Sequence, residues 1–144
     1  MTSLLIIIPI SIILLISTYT DLKSRLIYNW ITFPGMAYFL IYHLLINFND
    51  IFTYLLGFLI VGGICFFIAV VSNSLGGGDI KLFALLGLAF GWITGLYILF
   101  YSYLFAVIIA LPLLLLKKIF PKKFTVKEMP MAPFITVGTF LTYF

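Results

Sequence analysis

Only four residues of this 144-residue chain are acidic, and two of them, Asp21 and Asp79, stand at the edges of long apolar runs. Two carboxyls held close together do not both ionise easily, so one keeps a proton while the other is charged. Such a pair has a direct chemistry. The carboxylate takes a proton from water, the neutral acid polarises a peptide carbonyl, and the amide is hydrolysed without a covalent intermediate, a metal or a nucleotide. Plainer roles also fit the local sequence. Asp79 follows three glycines and precedes an apolar run, a position suited to a helix N-cap. Asp21, with Lys23 and Arg25 close by, suits an interfacial charge on a short loop. The economy of acidic residues weighs toward function, because ionisable groups near a bilayer interior are functional candidates by default.

The elements that must position this pair follow from composition. Hydrophobic residues make up 65% of the chain and charged residues 8%, too few polar groups to surface a soluble domain of this size. Apolar runs long enough to cross a bilayer recur along the whole length, and they lack the alternation of a membrane barrel. The fold class expected is therefore all-α: a polytopic integral membrane helical bundle with about six transmembrane helices. It forms a single membrane-embedded domain over 1–144.

Spans are expected at about 4–19, 30–46 and 51–71. Asn47-Phe48-Asn49-Asp50 makes a tight polar turn, and 72–78 a loop. The segment 80–116 would be on the order of 55 Å long as one helix, more than a membrane needs. It is read as a hairpin turning near 91–95, with a short fourth span and a long fifth one kinked at Pro112. A last short span covers 130–144. The first run has no basic residue ahead of it and Lys23 and Arg25 behind it, which reads as a retained span rather than a signal peptide.

Charge tests this layout independently. With six spans and the N-terminus outside, all eight basic residues (Lys23, Arg25, Lys81, Lys117, Lys118, Lys122, Lys123 and Lys127) fall in or beside the first, third and fifth loops. Those loops share one face, which the positive-inside rule makes cytoplasmic. Asp21 ends the first span and Asp79 begins the fourth, so parity brings both to that cytoplasmic edge.

Other candidates read more plainly. Cys65 is a small buried hydrophobe that cannot form an intramolecular disulfide. His43 is interfacial, near the outer end of the second span. Asn29 and Trp30 read as a helix cap and an interface anchor. Lys81 is a snorkelling anchor or a partner for a carboxylate. The basic loop at 117–128 is a topology signal attracted to anionic lipid. Gly87, Gly91 and Gly95 recur every four residues, suiting either close helix packing or a turn.

Gly76-Gly77-Gly78-Asp79 contains a Gly-x-Gly-Asp pattern whose bare backbone lets an extended substrate approach Asp79. It lacks the Gly-Lys-Ser/Thr ending of a phosphate-binding loop. Together with Thr20-Asp21-Leu22-Lys23-Ser24-Arg25-Leu26-Ile27-Tyr28-Asn29-Trp30, this stretch resembles the two aspartate motifs of type IV prepilin peptidases. Residues 130–138 resemble that family's proline-rich final span. The likeness extends over essentially the whole chain. It implies a membrane aspartic endopeptidase of the cell membrane that removes the short basic leader from prepilin-like precursors at the cytoplasmic face. Asp21 and Asp79 match the catalytic pair, Gly76 and Gly78 the glycines before the second aspartate, and Lys81 is a candidate for loop support or substrate contact.

Two departures stand out. Tyr28 occupies a position where the family commonly has proline, and the single cysteine leaves no basis for the zinc segment of the larger, methylating members. The chain thus resembles the compact peptidase-only members. Neither a cofactor nor a metal is expected. The partners implied are a pilin-like precursor and the lipid bilayer, with no nucleic acid, and the sequence leaves the oligomeric state open. Two other function classes stay open on residues alone: a small transporter or channel using Asp21 and Asp79 for ions or protons, and an inactive assembly factor.

Overall fold

The computed structural model describes residues 2–72, 75–119 and 130–143. Within them the chain is all-helical: α1 (Thr2–Ser24), α2 (Asn29–Ile46), α3 (Ile51–Ser72), α4 (Gly77–Phe90), α5 (Trp92–Ile119) and α6 (Ala132–Tyr143), with a 3-10 turn at Phe48–Asp50. Leu4–Ser24, Phe48–Ser72 and Trp92–Leu115 are long and apolar enough to cross a membrane. Their large side chains point outward, with Phe52, Phe67 and Val71 each at least 69% exposed. An outer surface this apolar is suited to lipid rather than water. Most of the basic loop expected at 117–128 lies outside the described residues.

The fourth helix organises the bundle. Leu82 to Ala89 are buried without interruption, the pattern of a helix surrounded on all sides. It packs against α2, α3 and α5. At 14 residues it is roughly 21 Å long, whereas α5 runs for 28 residues and carries Pro112 within it. The expected short-then-long hairpin is therefore present, but its turn is much tighter than 91–95. Gly91 alone breaks the helix, at φ 86° and ψ 175°, a backbone region essentially reserved for glycine. The reversal lays Gly95 against Gly87, where a Cβ on Gly95 would sit 3.1 Å from the Gly87 Cα.

Close backbone approach also joins α3 to α4. A Cβ on Gly57 would collide with the Gly87 carbonyl oxygen, and one on Gly87 with that of Gly57. Small residues replace the hydrophobic driving force that helices lack in lipid. Helix α1 runs antiparallel to both α2 and α6, whereas α2 and α4 run parallel. Thr18 meets Thr136 through a 2.7 Å hydroxyl contact, and Tyr38 donates to the Leu5 carbonyl at 3.0 Å.

Several local expectations are corrected. The helix containing Asp21 does not stop near Tyr19; it continues to Ser24, where Arg25 takes a left-handed conformation at φ 53° and its N–H bonds to the Asp21 carbonyl. His43 is fully buried rather than interfacial. Its ring stacks on Tyr54 at 3.5 Å. Asn47 Nδ2 lies 3.2 Å from Nδ1, which makes Nδ1 the acceptor and places the ring hydrogen on Nε2. That nitrogen reaches the Ala89 carbonyl at 3.3 Å, satisfying one of the orphan carbonyls at the end of α4. The sequence shows a lone histidine near a span end but not the helix rotation that turns it inward.

Candidate active site

Both aspartates lie at one end of the bundle, Asp21 in the last turn of α1 and Asp79 in the first turn of α4. Asp21 occupies the last turn of α1 and is 6% exposed. Its Oδ2 accepts a 2.9 Å hydrogen bond from the Ala132 N–H, 111 residues away. The reason lies at the start of α6. The residue before that helix, Met131, has no side-chain acceptor, and Pro133 has no N–H to satisfy. Phe134 and Ile135 direct their N–H groups to the Met131 carbonyl. The Ala132 N–H is left over, and Asp21 takes it. An acidic group there is also favoured by the positive end of the α6 dipole.

Asp79 is not the N-cap of its helix. Gly76 holds that position with extended backbone at φ −71°, ψ 149°, and Asp79 stands three residues on. Its Oδ2 accepts the Gly76 N–H at 3.2 Å while its own N–H bonds to the Gly76 carbonyl at 3.1 Å, the reciprocal arrangement of a capping box without a capping side chain. The apolar stretch of α4 begins only after Lys81, so Asp79 lies outside the membrane-spanning part. Partial burial, with the charge of Asp21 nearby, pushes the Asp79 carboxyl up to about 6; the Gly76 N–H offsets this in part. Each carboxyl hydrogen-bonds a backbone N–H rather than the other, yet repulsion links them.

The glycines before Asp79 have separate tasks. Gly76 supplies the cap, and a Cβ there would approach Asp79 Oδ2 at 3.2 Å. Gly78 lies against the connection between α1 and α2, where a Cβ would come within 2.8 Å of Ile27 Cβ. The two sequence motifs are thus in direct packing contact. Lys81 reinforces that contact: its Nζ donates to Asn29 Oδ1 at 2.7 Å and lies 5.3 Å from the Phe33 ring centroid. Asn29 is accordingly the first residue of α2 and an acceptor for Lys81, not a cap; Tyr28 precedes the helix without a side-chain capping bond.

Beside this end, an apolar groove of about 350 Å³ opens between α2 and α3 over α4, lined by residues including Phe33, Met36, Phe58, Gly63 and Ala84. Ile80 and Lys81 form its margin nearest Asp79. Among the described residues, no cluster of three His, Cys, Asp or Glu side chains is placed to hold a metal ion.

Three neighbours of the aspartates were not legible in sequence. The Ala132 N–H left no side-chain signature, although a helix start lacking Ser, Thr, Asp or Asn at its cap has donors that need acceptors elsewhere. Cys65 on α3 and Tyr103 on α5 lie within electrostatic reach of the Asp79 carboxyl. Neither position carries a sequence signal of which way its side chain faces.

A sequence model described as the type IV leader peptidase family matches residues 8–111, a stretch holding both aspartates and ending before α6. No match is found among curated proteins or among solved structures.

Proposed function

The chain belongs to the type IV leader peptidase family, and from that premise we propose that it is an aspartic endopeptidase in which Asp21 and Asp79 are the catalytic pair. The observation that carries this reading is the convergence of two carboxyls, 58 positions apart in sequence, at one end of the bundle in unlike settings. Asp79 has its proton affinity raised, while Asp21 faces the N–H end of α6. With the shared proton on Asp79, Asp21 is the carboxylate.

The reaction then runs in two balanced stages. Asp21 takes a proton from water as the water oxygen bonds to the scissile carbonyl carbon, and Asp79 gives its proton to the carbonyl oxygen. In the second stage the protonated Asp21 delivers its proton to the leaving nitrogen, and Asp79 recovers one from the tetrahedral intermediate as the C–N bond breaks. The pair returns to its starting state without a cofactor.

The substrate proposed is a pilin-like precursor whose basic leader is removed at the cytoplasmic edge of the cell membrane. Its apolar helix reaches the site sideways from the bilayer, and the groove beside Ile80 and Lys81 supports that approach. Six spans with the N-terminus outside accord with the alternating helix directions and with the basic residues near the aspartate end. An ion pathway receives less support, because the buried hydroxyls of Ser102 and Thr139 are used within their own helices, on the Ile98 and Ile135 carbonyls.

The test is cleavage of a pilin-like precursor co-reconstituted in liposomes. Asp21→Asn and Asp79→Asn should each abolish leader removal while the protein stays inserted and folded. Full activity in either variant would sink the assignment of that residue.

A further inference from the structure

Tyr103 presents a buried hydroxyl that has no hydrogen-bond partner among the described residues. Among the described residues only two buried side-chain polar atoms lack a hydrogen-bond partner, Ser17 Oγ and Tyr103 Oη. An orphan of this kind is costly, and a persistent one calls for an explanation beyond packing. The placement of Tyr103 supplies one. Its ring lies nearly parallel to Phe83, with centroids 6.3 Å apart and planes at 12°. Phe83 follows Asp79 by four residues, so it lies on the same face of α4, one turn deeper. Tyr103 is thereby held below the carboxyl, within electrostatic reach of it.

Resting on the aspartic peptidase reading above, we propose that Tyr103 is the positioning residue for Asp79, its hydroxyl donating to the carboxyl once substrate occupies the site. In the structure the Asp79 carboxyl instead takes the exposed Gly76 N–H at 3.2 Å. Breaking that bond costs little, because water replaces it. Satisfying a buried hydroxyl recovers more, since leaving a buried donor unpaired costs more than an exposed bond contributes. What opposes the exchange in the free protein is further desolvation of a carboxyl, and a bound peptide that displaces water removes that difference. The carboxyl therefore has two seats: an outer one that caps α4 and an inner one that orients its proton toward the scissile carbonyl. Among the described residues, the ionisable groups within electrostatic reach of it are Asp21 on α1, Cys65 on α3 and Tyr103 on α5, with Lys81 two residues on along its own helix.

Tyr103→Phe tests this, because it removes only the hydroxyl and keeps the ring on Phe83. With a pilin-like precursor in liposomes, kcat should fall on the order of 10- to 100-fold with KM unchanged. Thermal stability should hold or rise, since an unsatisfied group is gone. The alkaline limb of the kcat profile should move to higher pH, because a donor that favours the charged Asp79 has been lost. Wild-type turnover with an unmoved limb overturns the proposal, and so does a loss of turnover that tracks a loss of stability. Asp79→Asn measured alongside separates the two levels: an inactive Asp79→Asn beside a normal Tyr103→Phe refutes the role of Tyr103 alone, whereas an active Asp79→Asn refutes the aspartic peptidase reading itself.

Discussion

Asp21 has two tasks that substitution can separate, chemistry and the anchoring of α6. In Asp21→Ala the Ala132 N–H loses its 2.9 Å acceptor at a site where the aspartate was 6% exposed. Loss of an N-cap acceptor costs about 0.5–2 kcal/mol, and a buried donor left unpaired about 1–3 kcal/mol. These describe the same event and do not add, so a total of about 1–3 kcal/mol is expected. Asp21→Asn keeps an amide oxygen in the same place and forfeits only the charge assistance, for less than about 1 kcal/mol. Both variants lose the carboxylate and should lose cleavage. The assay pairs leader removal in liposomes with unfolding by SDS titration in mixed micelles. The reasoning fails if Asp21→Ala unfolds at the wild-type midpoint. It also fails if Asp21→Asn falls as far as Asp21→Ala, since charge rather than an acceptor would then hold α6.

Three further outcomes are expected. Because the Asp79 carboxyl is pushed up to about 6, the folded protein holds a proton between about pH 4 and that value which the unfolded chain releases. Stability contributed by this group is therefore lost as pH rises through the window, and cleavage declines above it as the single-proton pair disappears; a flat kcat/KM profile from about pH 5 to about pH 8 contradicts this. Gly87→Ala should cost at least about 1–3 kcal/mol by forcing α3 from α4. Gly63→Ala, with no atom within 4 Å of the added Cβ, should stabilise α3 by roughly 0.5–1 kcal/mol, and unfolding midpoints of the pair should move in opposite directions. His43→Leu should cost about 1–3 kcal/mol by leaving the Ala89 carbonyl without its donor, measurable in the same micelles without any substrate.

Much of this architecture was legible because lipid imposes simple rules. Span lengths, lysine positions and the glycine-marked reversal led to the right helices in the right order. The aspartates were placed together by counting spans. Rotation about each helix axis escaped that reasoning. An apolar residue looks alike whether it faces lipid or core, so His43 and Tyr103 were not recognised as inward-facing. Span ends escaped it too: Thr20 to Ser24 look like loop residues by polarity, yet they continue α1 because helical hydrogen bonds persist until Arg25 turns the chain. The bond from Asp21 to Ala132 joins residues with no local sequence relation, and only tertiary packing reveals it.

The glycine seam between α3 and α4 has a mechanical consequence. Contacts of backbone on backbone at Gly57 and Gly87, with Phe90 packed on Tyr143 and His43 holding the Ala89 carbonyl, fasten the far end of α4. Asp79 lies eight residues from Gly87, about 12 Å along the axis. On that arm, a tilt of roughly 10° about the seam would move the carboxyl by about 2 Å, once the contacts of Gly78 and Lys81 at the near end give way. A tilt of that size, without unwinding a single turn, would be enough to change the separation of Asp79 and Asp21 by about 2 Å.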